Sequence, residues 1–263
     1  MVKNFRSYIM LFFWIVRTDI TILKQFIVGK IINILFWTGS IVTISTFILP
    51  KLGMTKSYGE FIVVSSIVSS SYWGIWDASY KLVSDICGNR TISYRLALPL
   101  PSWLVIFQYA VKHAIDRSIP ALIILPLYKL ILWNRMDLSH FSLIKFIFIF
   151  TTISLFTGFF FLFISNFINN EHTVDTVGIR VLFPLWFFGA SSYPWKIIYS
   201  MSPTLGYISL LNPVVYAMEG IHSAVLGANG YLPFWICAIV LWCLIIIFGY
   251  VGIARFKKRL DFV

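Results

Sequence analysis

"DICGNRTISYRLALPLPSW", residues 85–103, is a polar, arginine-bearing segment closing on two prolines, set between two of the most apolar stretches of a 263-residue chain. Gly88 and Asn89 break whatever helix precedes them. Ile92, Leu96 and Pro99 then follow at a one-sided apolar spacing, and Pro99 with Pro101 stops the segment before the next apolar run. The pattern predicts a short helix lying along a membrane surface, with Asp85, Arg90 and Arg95 projecting from it.

The flanking sequence says why a membrane is involved. Residues are 59% apolar and only 12% charged, with a mean hydropathy of +0.85, whereas soluble domains run near half apolar and a quarter charged. A spanning helix needs about 20 mainly apolar residues. Six stretches meet that need, at 31–49, 61–80, 104–133, 143–167, 177–193 and 234–254. The expected fold is an all-α polytopic membrane protein with six transmembrane helices, a single transmembrane domain over 1–263. Within it, 84–101 is the cytoplasmic surface loop.

Residues 1–30 carry Lys3 and Arg6 ahead of an apolar run too short to span, and then Arg17 and Asp19 in place of a small-residue cleavage site. They are expected to stay with the mature chain as an amphipathic helix in the cytoplasmic interface. With both termini inside, thirteen of the 21 Lys and Arg fall on the cytoplasmic side and six opposite, Lys112 and Arg117 lying within the third stretch. That bias predicts a multi-pass plasma (inner) membrane protein with cytoplasmic ends. The net charge of +11 then reflects topology and attraction to the anionic lipid bilayer, not nucleic acid.

Catalytic signatures are missing. No GxxxxGK[ST] loop occurs, no Ser/His/Asp order, no HExxH and no metal-type spacing of Cys87, Cys237 and Cys243. No catalytic site, metal or bound cofactor is expected in this chain.

Two motifs resemble the ABC-2 type exporter permeases, the membrane subunits of ATP-driven exporters of polysaccharide, teichoic acid and drugs. The first is the opening segment, with Asp85, Arg90-Thr91 and Leu98-Pro99-Leu100-Pro101-Ser102 in the family's order. The second runs over 180–227, with Phe183-Pro184-Leu185, Gly189-Ala190, Tyr193-Pro194, Leu211-Asn212-Pro213, Tyr216-Ala217 and Glu219-Gly220 at matching positions. The resemblance implies that Asp85, Arg90, Thr91, Ile92, Arg95, Leu96 and Pro99 form the coupling helix that docks on a separate ATP-binding cassette subunit. ATP and Mg would be bound there. It further implies a second permease copy, identical or homologous, and an amphipathic substrate such as a lipid-linked glycan, a lipid or a hydrophobic drug.

Asn212 suits a helix cap with Pro213 at the first helical position, and Gly227 suits its end. Val214, Ala217, Met218, Ile221 and Val225 form an apolar stripe, with Glu219, His222 and Ser223 off it. At about 14 residues this helix is too short to span, so 195–230 is expected as an outer re-entrant or interfacial segment. Asn212, Pro213, Tyr216 and Glu219 then make either an outer gate or a structural cap. Lys112, Asp116 and Arg117 share a face of the third stretch, with Lys112 able to pair with Asp116 at i,i+4. Charges there are costly in lipid, so this face is either a solvated cytoplasmic extension or a basic lining of the translocation path. Two aromatic clusters, Tyr72, Trp73 and Trp76, and Trp186, Phe187 and Phe188, are candidate path linings. Two other classes stay open, an ion-driven secondary carrier and a membrane-embedded lipid-modifying enzyme. The first should show paired repeats with broken helices and the second acids or a nucleophile converging at one depth.

Overall fold

The computed structural model describes residues 2–55, 57–86, 91–132 and 136–260. Cys87, Gly88, Asn89 and Arg90, and the Trp133 end of the third expected span, lie outside them. Helix accounts for 82% and no strand occurs among the described residues, so the chain is all-α. Among the described residues, three helices are long and apolar enough to cross a membrane by length and composition.

The first of these departs from expectation. Residues 2–30 and the first apolar stretch as far as Thr43 form one unbroken helix, α1 (Val2–Thr43), of 42 residues. No proline occurs before Pro50, and lysines at positions 24 and 30 do not interrupt a backbone ladder. At 1.5 Å per residue α1 runs to about 63 Å, roughly twice the hydrocarbon layer. The helix expected over 1–30 is therefore continuous with the one that holds the first apolar stretch.

α1 ends through a π turn (Ile44–Ile48) and a 3₁₀ turn (Leu49–Leu52) that holds Pro50. A second π turn (Gly178–Leu182) precedes Pro184. In both, the residue before the proline donates its N–H five residues back, Leu49 to Ile44 and Phe183 to Gly178. The cause is shared: a proline offers no N–H and its ring presses on the carbonyl four residues earlier, so the turn widens.

α2 (Tyr58–Ser84) contains the second expected stretch, and α3 (Thr91–Leu96) is the short helix predicted from the opening segment. The third expected stretch is not one helix. It divides into α4 (Ser102–Ala121) and α5 (Ile124–Ile131), because Pro126 has no N–H for the Leu122 carbonyl and its ring presses there, while Pro120 is held inside the last turn of α4. α6 (Leu143–Ser165) agrees with the fourth stretch. The fifth starts earlier and stops sooner than expected: α7 (Glu171–Val177), the π turn and α8 (Phe183–Phe187) make one helical run over 171–187. α9 (Trp195–Met201), α10 (Pro203–Ser209) and α11 (Pro213–Val225) precede α12 (Phe234–Leu260), which carries the basic Lys257, Lys258 and Arg259 in its last turn.

The core follows from where polarity is absent. α6 is apolar on every face, and a helix of that kind belongs inside; it contacts α2, α4, α11 and α12. Gly158 makes the crossing with α4 possible, since a Cβ there would lie 3.1 Å from the Ala110 backbone carbon. α1 and α12 instead expose large apolar side chains, Phe13, Phe36, Trp235, Ile246 and Tyr250 among them. So much exposed grease on two long helices suits lipid.

Candidate functional site

At the opening segment, Asp85 starts the construction. Its Oδ2 accepts the Ile92 N–H at 3.1 Å, satisfying one of the donors that a helix start leaves free, and the Tyr109 hydroxyl lies 3.4 Å from the same oxygen. Ile92 is buried beneath α3 and Leu96 is half-buried, while Tyr94, Leu98 and Pro99 face outward, Tyr94 at 76% exposure. Thr91 begins the helix.

Arg95, expected to project, turns inward instead. Its guanidinium bridges Asp19 of α1, with Nη2 at 2.8 Å from Oδ1, and Gln108 of α4, with Nη1 at 2.7 Å from Oε1. The Gln108 amide donates to the other Asp19 oxygen, and the guanidinium stands over the Tyr109 ring. Burial opposes the charge on Arg95, yet the Asp19 carboxylate outweighs it and holds the guanidinium above its ordinary value. A surface helix is thus bolted to two long helices by one buried carboxylate.

A cavity of about 560 Å³ opens beside this joint, lined by α2, α4 and their neighbours. Lys112, Asp116 and Arg117 all reach it, as do Asp77, Lys81, Asp85 and Arg95. The expected Lys112–Asp116 pair does not form. Lys112 lies 3.5 Å from Asp19, and Asp116 bonds Lys30 of α1, because α1 crosses α4 and brings its own charges closer than the i+4 neighbour. Arg117 pairs with Asp77 of α2, and Asp77 also holds Lys81 at 2.8 Å. His113 is buried in stacked contact with Phe161, and its Nε2 has no hydrogen-bond partner.

A second cavity, about 760 Å³, runs between α1, α2 and α8. It brings together Trp73, Trp76, Trp186 and Phe187, from two places about 110 residues apart in the chain. The Trp73 and Trp186 rings lie 5.4 Å apart, and the Trp186 indole donates to Ser69 at 2.9 Å. Tyr72 is separate: it is fully buried, and its hydroxyl donates to the Leu182 carbonyl at 2.9 Å.

The segment expected at the outer face is more buried than its stripe suggested. Asn212 caps α11 by accepting from Val214 N–H at 3.0 Å, and its amide reaches the Leu185 carbonyl at 2.7 Å. Pro213 occupies the first helical position, and Gly227, at φ +98°, ends the helix as expected. Glu219, His222 and Ser223, placed off the apolar stripe, are buried with it, since α11 contacts α2, α6 and α12 on different sides. Glu219 has no exposed surface; its two oxygens accept the backbone N–H groups of Trp195 at 2.7 Å and Leu232 at 2.8 Å. His222 stacks on Phe61 and Tyr231, and Tyr216 is half-buried. The carboxylate of Glu219 therefore ties two loops to α11.

Sequence reading passed over Asp19, Lys30, Asp77 and Gln108. A signal was present: Asp19 is the only acid before Glu60, and Lys30 follows eleven residues later, about three helical turns and so the same face. No protein-family model matches the chain, and no curated protein matches it.

Proposed function

We propose that this chain is the membrane-spanning subunit of an ATP-driven exporter of the ABC-2 type, working as a dimer with separate ATP-binding subunits. Its six spans would be α1, α2, α4 with α5, α6, the 171–187 run and α12, with both ends in the cytoplasm of a plasma membrane. The observation that carries the reading is the joint at α3. A short surface helix that presents Tyr94 and Leu98 outward, while Arg95 fastens it to Asp19 of α1 and Gln108 of α4, can pass a push from a soluble motor into two long helices. Closure of the motor on ATP, which the partner binds with Mg²⁺, would tilt α1 against α4 and open a route for an amphipathic cargo. The charged cavity near α3 and the ring-lined groove beyond it are the two environments such a cargo needs.

The test is enrichment from native membranes in neutral detergent, followed by an ATP hydrolysis assay on the purified material. Expected is ATPase activity that accompanies the wild-type chain and departs with the Tyr94→Glu/Leu98→Glu double variant, whose yield and melting temperature stay unchanged. Hydrolysis indifferent to that double change, or none at all, rejects the exporter assignment.

A further inference from the structure

Five charged side chains from three helices form one chain of ion pairs, Lys30–Asp116–Arg117–Asp77–Lys81. Three cations thus share two carboxylates. Were Arg117 to withdraw, Asp116 would keep Lys30 and Asp77 would keep Lys81, so neither acid would be stranded. Arg117 is also incompletely used: its Nε is buried with no hydrogen-bond acceptor, Asp116 Oδ2 lying 3.9 Å away. The surplus positive charge of the network sits on this residue.

Its position gives that charge a use. Arg117 lines both the charged cavity and the aromatic groove. It reaches across α2 at Gly74, where a Cβ would stand 2.6 Å from Arg117 Cδ, so only glycine leaves this passage open to the side chain. On one side lie the polar groups of the charged cavity, on the other the rings of Trp73, Trp76 and Trp186.

We propose that Arg117 is the headgroup post of a single amphiphile-binding slot made by joining the two cavities, and that its ligand bears a phosphate-type anionic headgroup on an apolar tail. The guanidinium fork matches phosphate oxygens in two parallel hydrogen bonds. The groove removes the tail from water, and the headgroup displaces Asp77, which Lys81 continues to neutralise. Free phosphate meets only the post, and a neutral alcohol only the groove. This deepens the exporter reading by naming a substrate class, and rests on it only in taking the ligand as cargo.

The full chain in neutral detergent is titrated with 12-bromododecyl phosphate while tryptophan fluorescence is followed, then challenged with competitors. Expected is a saturable quench that dodecyl phosphate displaces and equimolar dodecanol or inorganic phosphate does not. Arg117→Gln weakens this displacement at least about tenfold, the loss of a charge-assisted fork, and Arg117→Lys keeps part of it. Gly74→Ala closes the passage by which Arg117 reaches both cavities, with every charge intact, and weakens binding. Displacement by dodecanol as effective as by dodecyl phosphate overturns the slot, and displacement by inorganic phosphate overturns its apolar half. If Arg117→Gln does not give a monodisperse protein, Gly74→Ala decides, and unchanged or tighter binding there overturns the proposal. No ATPase takes part, so this result and that of the hydrolysis assay fail independently.

Discussion

Asp19 shows how much one side chain can organise. A carboxylate inside a helix of apolar character is costly unless paired, and it holds Arg95, Gln108 and Lys112 from two other elements. Arg95→Met or Asp19→Leu alone should each lower stability by about 3 kcal/mol, since each leaves buried polar groups without a partner. The Arg95→Met/Asp19→Leu double variant should lose much less than the sum, as expected for two groups in one contact. Thermal unfolding of the four proteins in one detergent completes this cycle, and additive losses would show that the two do not act as a pair. The motif residues around Arg95 were legible from sequence, but its direction was not. A lone i,i+3 or i,i+4 pattern places a residue on a helix face and says nothing of which distant acid waits there.

Among elements, glycine and proline decide the details. Pro50, Pro126 and Pro184 each follow closely on a place where a helix widens or breaks, and the third expected span divides one turn before Pro126. Composition alone kept that stretch continuous, because apolar counting does not register a missing N–H. Glycines divide by what stands opposite. Gly158 faces the backbone of α4, and Gly158→Ala should cost about 1–3 kcal/mol by overpacking the α4–α6 crossing. At Gly29 an added Cβ meets nothing within 4 Å, so Gly29→Ala should be neutral or stabilising by up to about 1 kcal/mol. Melting temperatures of the two variants beside wild type check the contrast, and equal shifts would remove the α4–α6 close approach as its cause. Helix α11 is the complementary case: Asn212, Pro213 and Gly227 set its ends from local chemistry, yet its burial follows from α2, α6 and α12 around it.

For the molecule as a whole, the proposed arrangement makes a directional prediction. In a chain whose native cysteines are replaced by alanine, Met54→Cys, in the exposed turn after α1, should react with a membrane-impermeant maleimide in intact cells. Tyr94→Cys on α3 should react only after permeabilisation. Labelling of both from outside would refute the six-span arrangement. Hydropathy and helix-breaking residues act within one or two turns, so the amino-acid order alone specified a helical, strongly apolar chain and the place where a polar helix interrupts it. Tertiary structure alone decided which charges meet, that the aromatics at 73–76 and 186–187 share one groove, and that α11 is enclosed. Those outcomes depend on how helices far apart in sequence cross, and the energy of a buried charge depends on partners that no local pattern names.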